Sequence, residues 1–190
     1  MKLYITLFII ALTLIGRTDK PLVTINPEPS YQAWWLRISF TPNRKYIRGI
    51  PINEIDPSWA KVYEFNKNDI PTKYLNEYDE DSMAVNNVAF SLQGDFNNDK
   101  IKDLAVTGVF LDRDNQKGTF LIVFAEEQKD LLRVTHLQKW FGGSEFAVVD
   151  ARSQDGIGVW FCMYCNNGIF YRWDQSKHLY VKEEQEVDYL

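Results

Sequence analysis

From Val85 to Lys182 the chain alternates short runs of β-branched and aromatic residues with clusters of Gly, Asn, Asp and Lys. Such alternation reads as a succession of strands and turns. LAVTGVFL (Leu104–Leu111) and TFLIVFA (Thr119–Ala125) are close in length and are joined by the turn-rich DRDNQKG of Asp112–Gly118, as a hairpin requires. Val88–Leu92 precedes this pair, and Leu131–Leu137 and Phe146–Val149 follow it, separated by a turn at Gly142-Gly143. Ile157–Cys165 and Ile169–Trp173 form a second expected hairpin whose Asn167-Gly168 favours a type I′ turn, with Leu179–Lys182 as a last short strand.

Upstream the signals are mixed. Gln32–Thr41 alternates as a strand with Trp34, Leu36, Ile38 and Phe40 inward. Asp56–Phe65 reads as a short helix, with Asp56 as N-cap and Pro57 at the first helical position. The expected fold is therefore mostly β, an antiparallel sheet or sandwich with one or two short helices, and α+β as the variant. A closed propeller needs about four or more four-stranded blades, more than this chain supplies.

Composition sets the broad class. The chain has 190 residues, 45% hydrophobic and 15% aromatic, which fits one folded domain and argues against disorder. A net charge of −5 argues against a nucleic-acid surface, and the small basic group Arg44, Lys45 and Arg48 does not offset it. Met1-Lys2 followed by apolar Leu3–Ile15 has the form of a secretory signal, which places the signal at residues 1–18 and a single β-rich domain at 19–190. A spanning helix needs about 20 apolar residues. The expectation is thus a periplasmic or secreted protein without a stable membrane span, the alternative being anchorage through the uncleaved N-terminal segment. In that compartment Cys162 and Cys165, flanked by strand-like sequence, read as half-buried strand cysteines or a local staple rather than a redox pair.

Residues Asp95–Leu104, DFNNDKIKDL, carry the densest chemical signal. Asp95, Asn97, Asp99 and Asp103 supply side-chain oxygens in one odd-numbered register, and Ile101 completes it with a backbone carbonyl. A hard cation such as Ca²⁺ takes about 6–8 oxygen ligands near 2.3–2.6 Å, from carboxylates, amides, carbonyls and water. The competing reading is an acidic turn without an ion, in which Asp95, Asn97 and Asp99 accept Asx-type hydrogen bonds. An EF-hand is excluded, because its twelfth position falls on Val106 and a strand follows.

Gly94–Val106, GDFNNDKIKDLAV, resembles the calcium loop of FG-GAP/VCBS-type repeats, in which D-x-N-x-D-x-x-x-D-L leads straight into a strand. The resemblance covers a single copy of about thirteen residues. It implies that Asp95, Asn97, Asp99, Ile101 and Asp103 hold a structural Ca²⁺ that staples a turn between strands. The sequence departs from that pattern at Asn98 and Lys100, where the family commonly has glycine.

Catalytic arrays are not evident. His136 and His178 belong to no Glu-x-x-His or His-x-x-x-His pattern, and Gly143-Ser144-Glu145 lacks the second glycine of a nucleophile elbow. The expectation is a non-enzymatic, exported protein-binding protein, of the kind that serves as a periplasmic immunity or inhibitor protein against a partner toxin or enzyme. Trp34–Phe65 is similar in general character to exported bacterial proteins of this kind. Glu77, Asp79, Glu80 and Asp81 are the candidate partner-binding residues, with Glu183, Glu184 and Glu186 of the tail beside them. The alternatives are a carbohydrate- or cell-surface-binding module that stacks sugars on exposed tryptophans, and an exported hydrolase built on a carboxylate pair.

Overall fold

The computed structural model describes residues 23–26, 33–71, 88–128, 131–143, 145–151, 156–162 and 168–183, and over them the chain is mostly β. In chain order the strands are β1 (Val23–Ile25), β2 (Ile38–Phe40), β3 (Tyr46–Ile47), β4 (Ile50–Pro51), β5 (Trp59–Glu64), β6 (Ser91–Gly94), β7 (Asp103–Asp112), β8 (Lys117–Gln128), β9 (Leu131–Phe141), β10 (Val148–Ala151), β11 (Gly156–Trp160), β12 (Gly168–Asp174) and β13 (Leu179–Lys182). Two short helices, α1 (Trp34–Arg37) and α2 (Ile52–Ile55), interrupt the N-terminal part. The expected leader, residues 1–18, lies outside the described residues, and no described helix is long and apolar enough to cross a membrane.

Among the described residues every strand pairing is antiparallel, as expected. The larger sheet runs β5-β7-β8-β9, with β6 continuing beside β7 where β5 leaves it. A second sheet runs β10-β11-β12-β13. Ala89 bridges Val149 and so joins the start of β6 to β10. At this join the buried Thr107 hydroxyl lies 3.0 Å from the Phe90 carbonyl and 2.9 Å from that of Ala147. Among the described residues β9 pairs with β8 alone.

The period-two alternation of β7 and β8 explains the layering. Ala105, Val109, Leu121 and Val123 face a first core, shared with the second sheet and α1. Val106, Phe110, Phe120, Ile122 and Phe124 face a second core, covered by residues of the β3–β4 hairpin, α2 and β5. Both faces of this hairpin are therefore buried, which is why its strands read as nearly unbroken apolar runs. Aromatic rings fill the first core: Phe40 lies 4.2 Å from Phe65, Phe65 5.4 Å from Phe90, and Phe90 5.7 Å from Phe146. In the second, Trp59 stacks on Phe110 at 5.2 Å.

Two upstream expectations change. Residues 34–37 form a helical turn rather than a strand, so Trp34 and Trp35 are both buried while Leu36 is 59% exposed. Burying two adjacent indoles against Phe146 outweighs the alternation that would have placed them on opposite faces. The expected helix Asp56–Phe65 is instead a turn followed by β5. Asp56 caps the turn, its carboxylate accepting from the Ser58 N–H at 2.8 Å. Beyond it Trp59, Val62, Tyr63 and Phe65 are buried, in pairing with β7 that a helix would forgo.

The acidic loop as a candidate metal centre

The loop 95–102 spans the tight connection from β6 to β7, whose ends pair through Gly94 and Asp103. Phe96 anchors it by entering the first core at 3% exposure, and its ring leaves no room for a β-carbon at position 94, which would lie 2.5 Å from Cε1. Asn98 and Lys100 adopt left-handed backbone, with φ of 57° and 70°. These are the two positions where the resembled family carries glycine, and the backbone shape explains why it would.

The side chains turn onto the loop's own backbone. Asp95 accepts from the N–H groups of Asp99 at 3.1 Å and Lys100 at 2.9 Å. Asn97 accepts from the Asp99 N–H at 3.0 Å, and Asp99 accepts from the Ile101 N–H at 2.8 Å. This is the Asx-turn arrangement named above as the competing reading. Among the described residues no group of three or more His, Cys, Asp or Glu is placed to hold a metal ion.

Asp103 stands apart. It is 1% exposed, and its Oδ2 accepts from the Phe96 N–H at 3.0 Å and the Tyr180 hydroxyl at 3.3 Å. Its Oδ1 is buried without a hydrogen-bond partner. Burial pushes its carboxyl up to about 6, with the charges of Asp99 and Asp95 adding to the rise against the hydrogen bonds from Phe96 and Tyr180. The Tyr180 hydroxyl is pushed up in turn by burial and by Asp103. A buried carboxylate with an unpartnered oxygen, three oxygen-bearing side chains in the same loop and two left-handed residues match a hard cation in donor type and backbone shape, though the side chains are not gathered around one point. The carboxylates of Asp95 and Asp99 would have to turn from the N–H groups to reach it.

The loop also forms one wall of a cavity of about 290 Å³ that the sequence did not reveal. Asn97 and Asp99 face Arg133 and Thr135 of β9, Trp173 of β12, and His178 across it. Gln175 ties the two sides together, its amide donating to the Asn97 carbonyl at 3.0 Å. Trp173 packs edge-on against Tyr180 at 5.0 Å, which connects the cavity wall to Asp103. Exposed Leu131, Ile101 and Leu179 lie on the segments bordering this end of the molecule. In the sequence Trp173 stands in the aromatic cluster Tyr171-Arg172-Trp173 and His178 in a turn, while Arg133 carries no signal at all.

The remaining candidates are placed as follows. His136 is partly buried against the second sheet: its ring lies 5.1 Å from Tyr171 and 5.4 Å from Tyr180, and burial lowers it to about 4. Cys162 is disulfide-bonded and nearly buried, in keeping with the staple reading. Cys165 and the acidic residues Glu77, Asp79, Glu80, Asp81, Glu184 and Glu186 lie outside the described residues. Glu183 is exposed beside Arg172. Compared with known proteins, the chain matches no family model, no curated protein and no solved structure.

Proposed function

We propose that this chain is an exported, non-enzymatic binding protein whose acidic loop takes Ca²⁺ as a structural staple. Asp95, Asn97, Asp99, Asp103 and the Ile101 carbonyl would hold the ion. Bound there, it would neutralise a carboxylate cluster that is otherwise in mutual repulsion and fix one wall of the cavity. The observation that carries the reading is the juxtaposition at one end of the molecule. The loop, the partly exposed Trp173, Arg133 and His178 share a polar cleft bordered by segments bearing exposed Leu131, Ile101 and Leu179. Trp and Arg beside apolar side chains are the residue types that dominate protein interfaces.

A toxin or enzyme neutralised in the periplasm is the partner class we favour, with Glu77, Asp79, Glu80 and Asp81 supplying the negative charge that steers a basic partner. A second reading, carbohydrate binding, is favoured by the composition of the cleft, in which an indole is flanked by amide, carboxylate and hydroxyl groups. Affinity capture from the native envelope separates them. A stable protein partner that is retained by the parent chain and lost with Trp173→Ala and Arg133→Ala supports the proposal. Recovery of glycan with no protein partner sinks it in favour of the second reading.

A further inference from the structure

A second cleft lies against the other core. It has a volume of about 490 Å³ and opens between the β3–β4 hairpin with α2 on one side and the start of β5 on the other. The chain brings its walls together through backbone bonds. The Ile52 N–H donates to the Lys45 carbonyl at 3.0 Å, and the Arg113 N–H donates to the Ser58 carbonyl at 2.9 Å. Lys45 and Arg113, far apart in sequence, thus line one space, together with Asn53, Ile52, Tyr46 and Trp59.

The electrostatics of this space are one-sided. Arg48, Lys117, Arg133, Lys139, Arg172 and Lys177 each sit against a carboxylate. Among the described residues neither Lys45 nor Arg113 does so, and no Asp or Glu lines the cleft. Trp59 is 2% exposed and keeps its indole N–H buried without an acceptor. Tyr46, by contrast, is 58% exposed at the rim. Two exposed cations and an amide ask for an acceptor that carries negative charge, while the exposed Tyr46 ring at the rim offers apolar area for the body that bears it.

We propose that this cleft binds an organic oxyanion, a carboxylate or phosphate carried on an apolar or aromatic body. The guanidinium of Arg113 provides the planar fork that matches either head group, and Lys45 adds a mobile point charge. The site is independent of the acidic loop and needs no metal.

The test titrates the full exported chain with phenyl phosphate, phenylacetate, inorganic phosphate and neutral phenol, following melting temperature and isothermal heat. Saturable binding of either aromatic anion, and not of phenol, is expected, with affinity falling about tenfold or more in Lys45→Ala and in Arg113→Ala. Added salt should weaken it, because both cations are exposed. Comparing the two aromatic anions tells a carboxylate site from a phosphate site, and inorganic phosphate shows how much the head group binds unaided. Absence of saturable binding of both aromatic anions up to about 10 mM overturns the proposal, since that corresponds to almost no affinity. Equal binding by the folded Lys45→Ala/Arg113→Ala double variant does the same.

Discussion

Replacing Asp103 with Asn keeps the side chain's shape and removes its charge. A carboxyl whose folded value is raised from 3.8 to about 6 adds stability that is complete below 3.8 and lost as pH rises through 6. At neutral pH, with a chelator present, Asp103→Asn should therefore melt at or above the parent's temperature. In calcium the order reverses under the proposed function: the parent's midpoint rises and the variant's does not. A parent whose midpoint is unmoved by saturating calcium removes the ion from the proposal. His136 provides the opposite sign. Its folded value lies near 4 against 6.5 for the free group, so its contribution is present above 6.5 and lost as pH falls toward 4. His136→Gln should lose less stability than the parent between pH 7 and pH 4.5, by on the order of 2–3 kcal/mol in denaturant titrations. Equal losses would place the acid sensitivity elsewhere.

At the scale of elements, the loop and the central hairpin respond to glycine in opposite ways. Lys100 holds a φ of 70°, which glycine adopts without a β-carbon penalty. Lys100→Gly should stabilise the fold by up to about 1 kcal/mol, read by denaturant midpoint, and under the proposed function it should also tighten calcium binding by removing a positive charge, read by calcium titration. Gly108 on β7 allows no such freedom in the other direction. A β-carbon there would overlap the Tyr63 carbonyl oxygen of the neighbouring strand and the Phe120 ring. Gly108→Ala should cost about 3 kcal/mol in the same measurement, and a cost below about 1 kcal/mol would mean that β5 can move aside. These elements also show what was legible in advance. Leu104–Leu111 and Thr119–Ala125 announced themselves as apolar, β-branched and aromatic runs of matched length around a turn-rich link, and Leu179–Lys182 as a short run before the acidic tail. Asp56–Phe65 did not, because a local cap signal at Asp56 competed with pairing to a strand some fifty residues away in sequence, and the pairing won. The acidic loop was legible because its residues are contiguous. Its cleft was not, since Asn97, Arg133, Trp173 and His178 meet only through the fold.

For the molecule as a whole, the two cores share one partition. β7 and β8 send alternate residues into each, so neither core can open without exposing the back of the other. Unfolding should be a single cooperative transition, with tryptophan fluorescence, which reports Trp34 and Trp35 in one core and Trp59 in the other, coinciding with far-ultraviolet circular dichroism. Two separated midpoints would show that the cores are independent units. The outer flank of β9 has a different consequence. This eleven-residue strand shows no strand partner on its far side among the described residues, and such a flank invites another chain to join by backbone pairing. The register skips Thr135 between Val123 and Phe124 of β8, so the alternation of N–H and C=O along β9 changes phase midway. A straight incoming strand would match one half and miss the other, and the charges of Arg133 and Lys139 fall on either side of the break. The irregularity of the strand that walls this cleft therefore works against edge-to-edge pairing, and smoothing it would trade that protection for regularity.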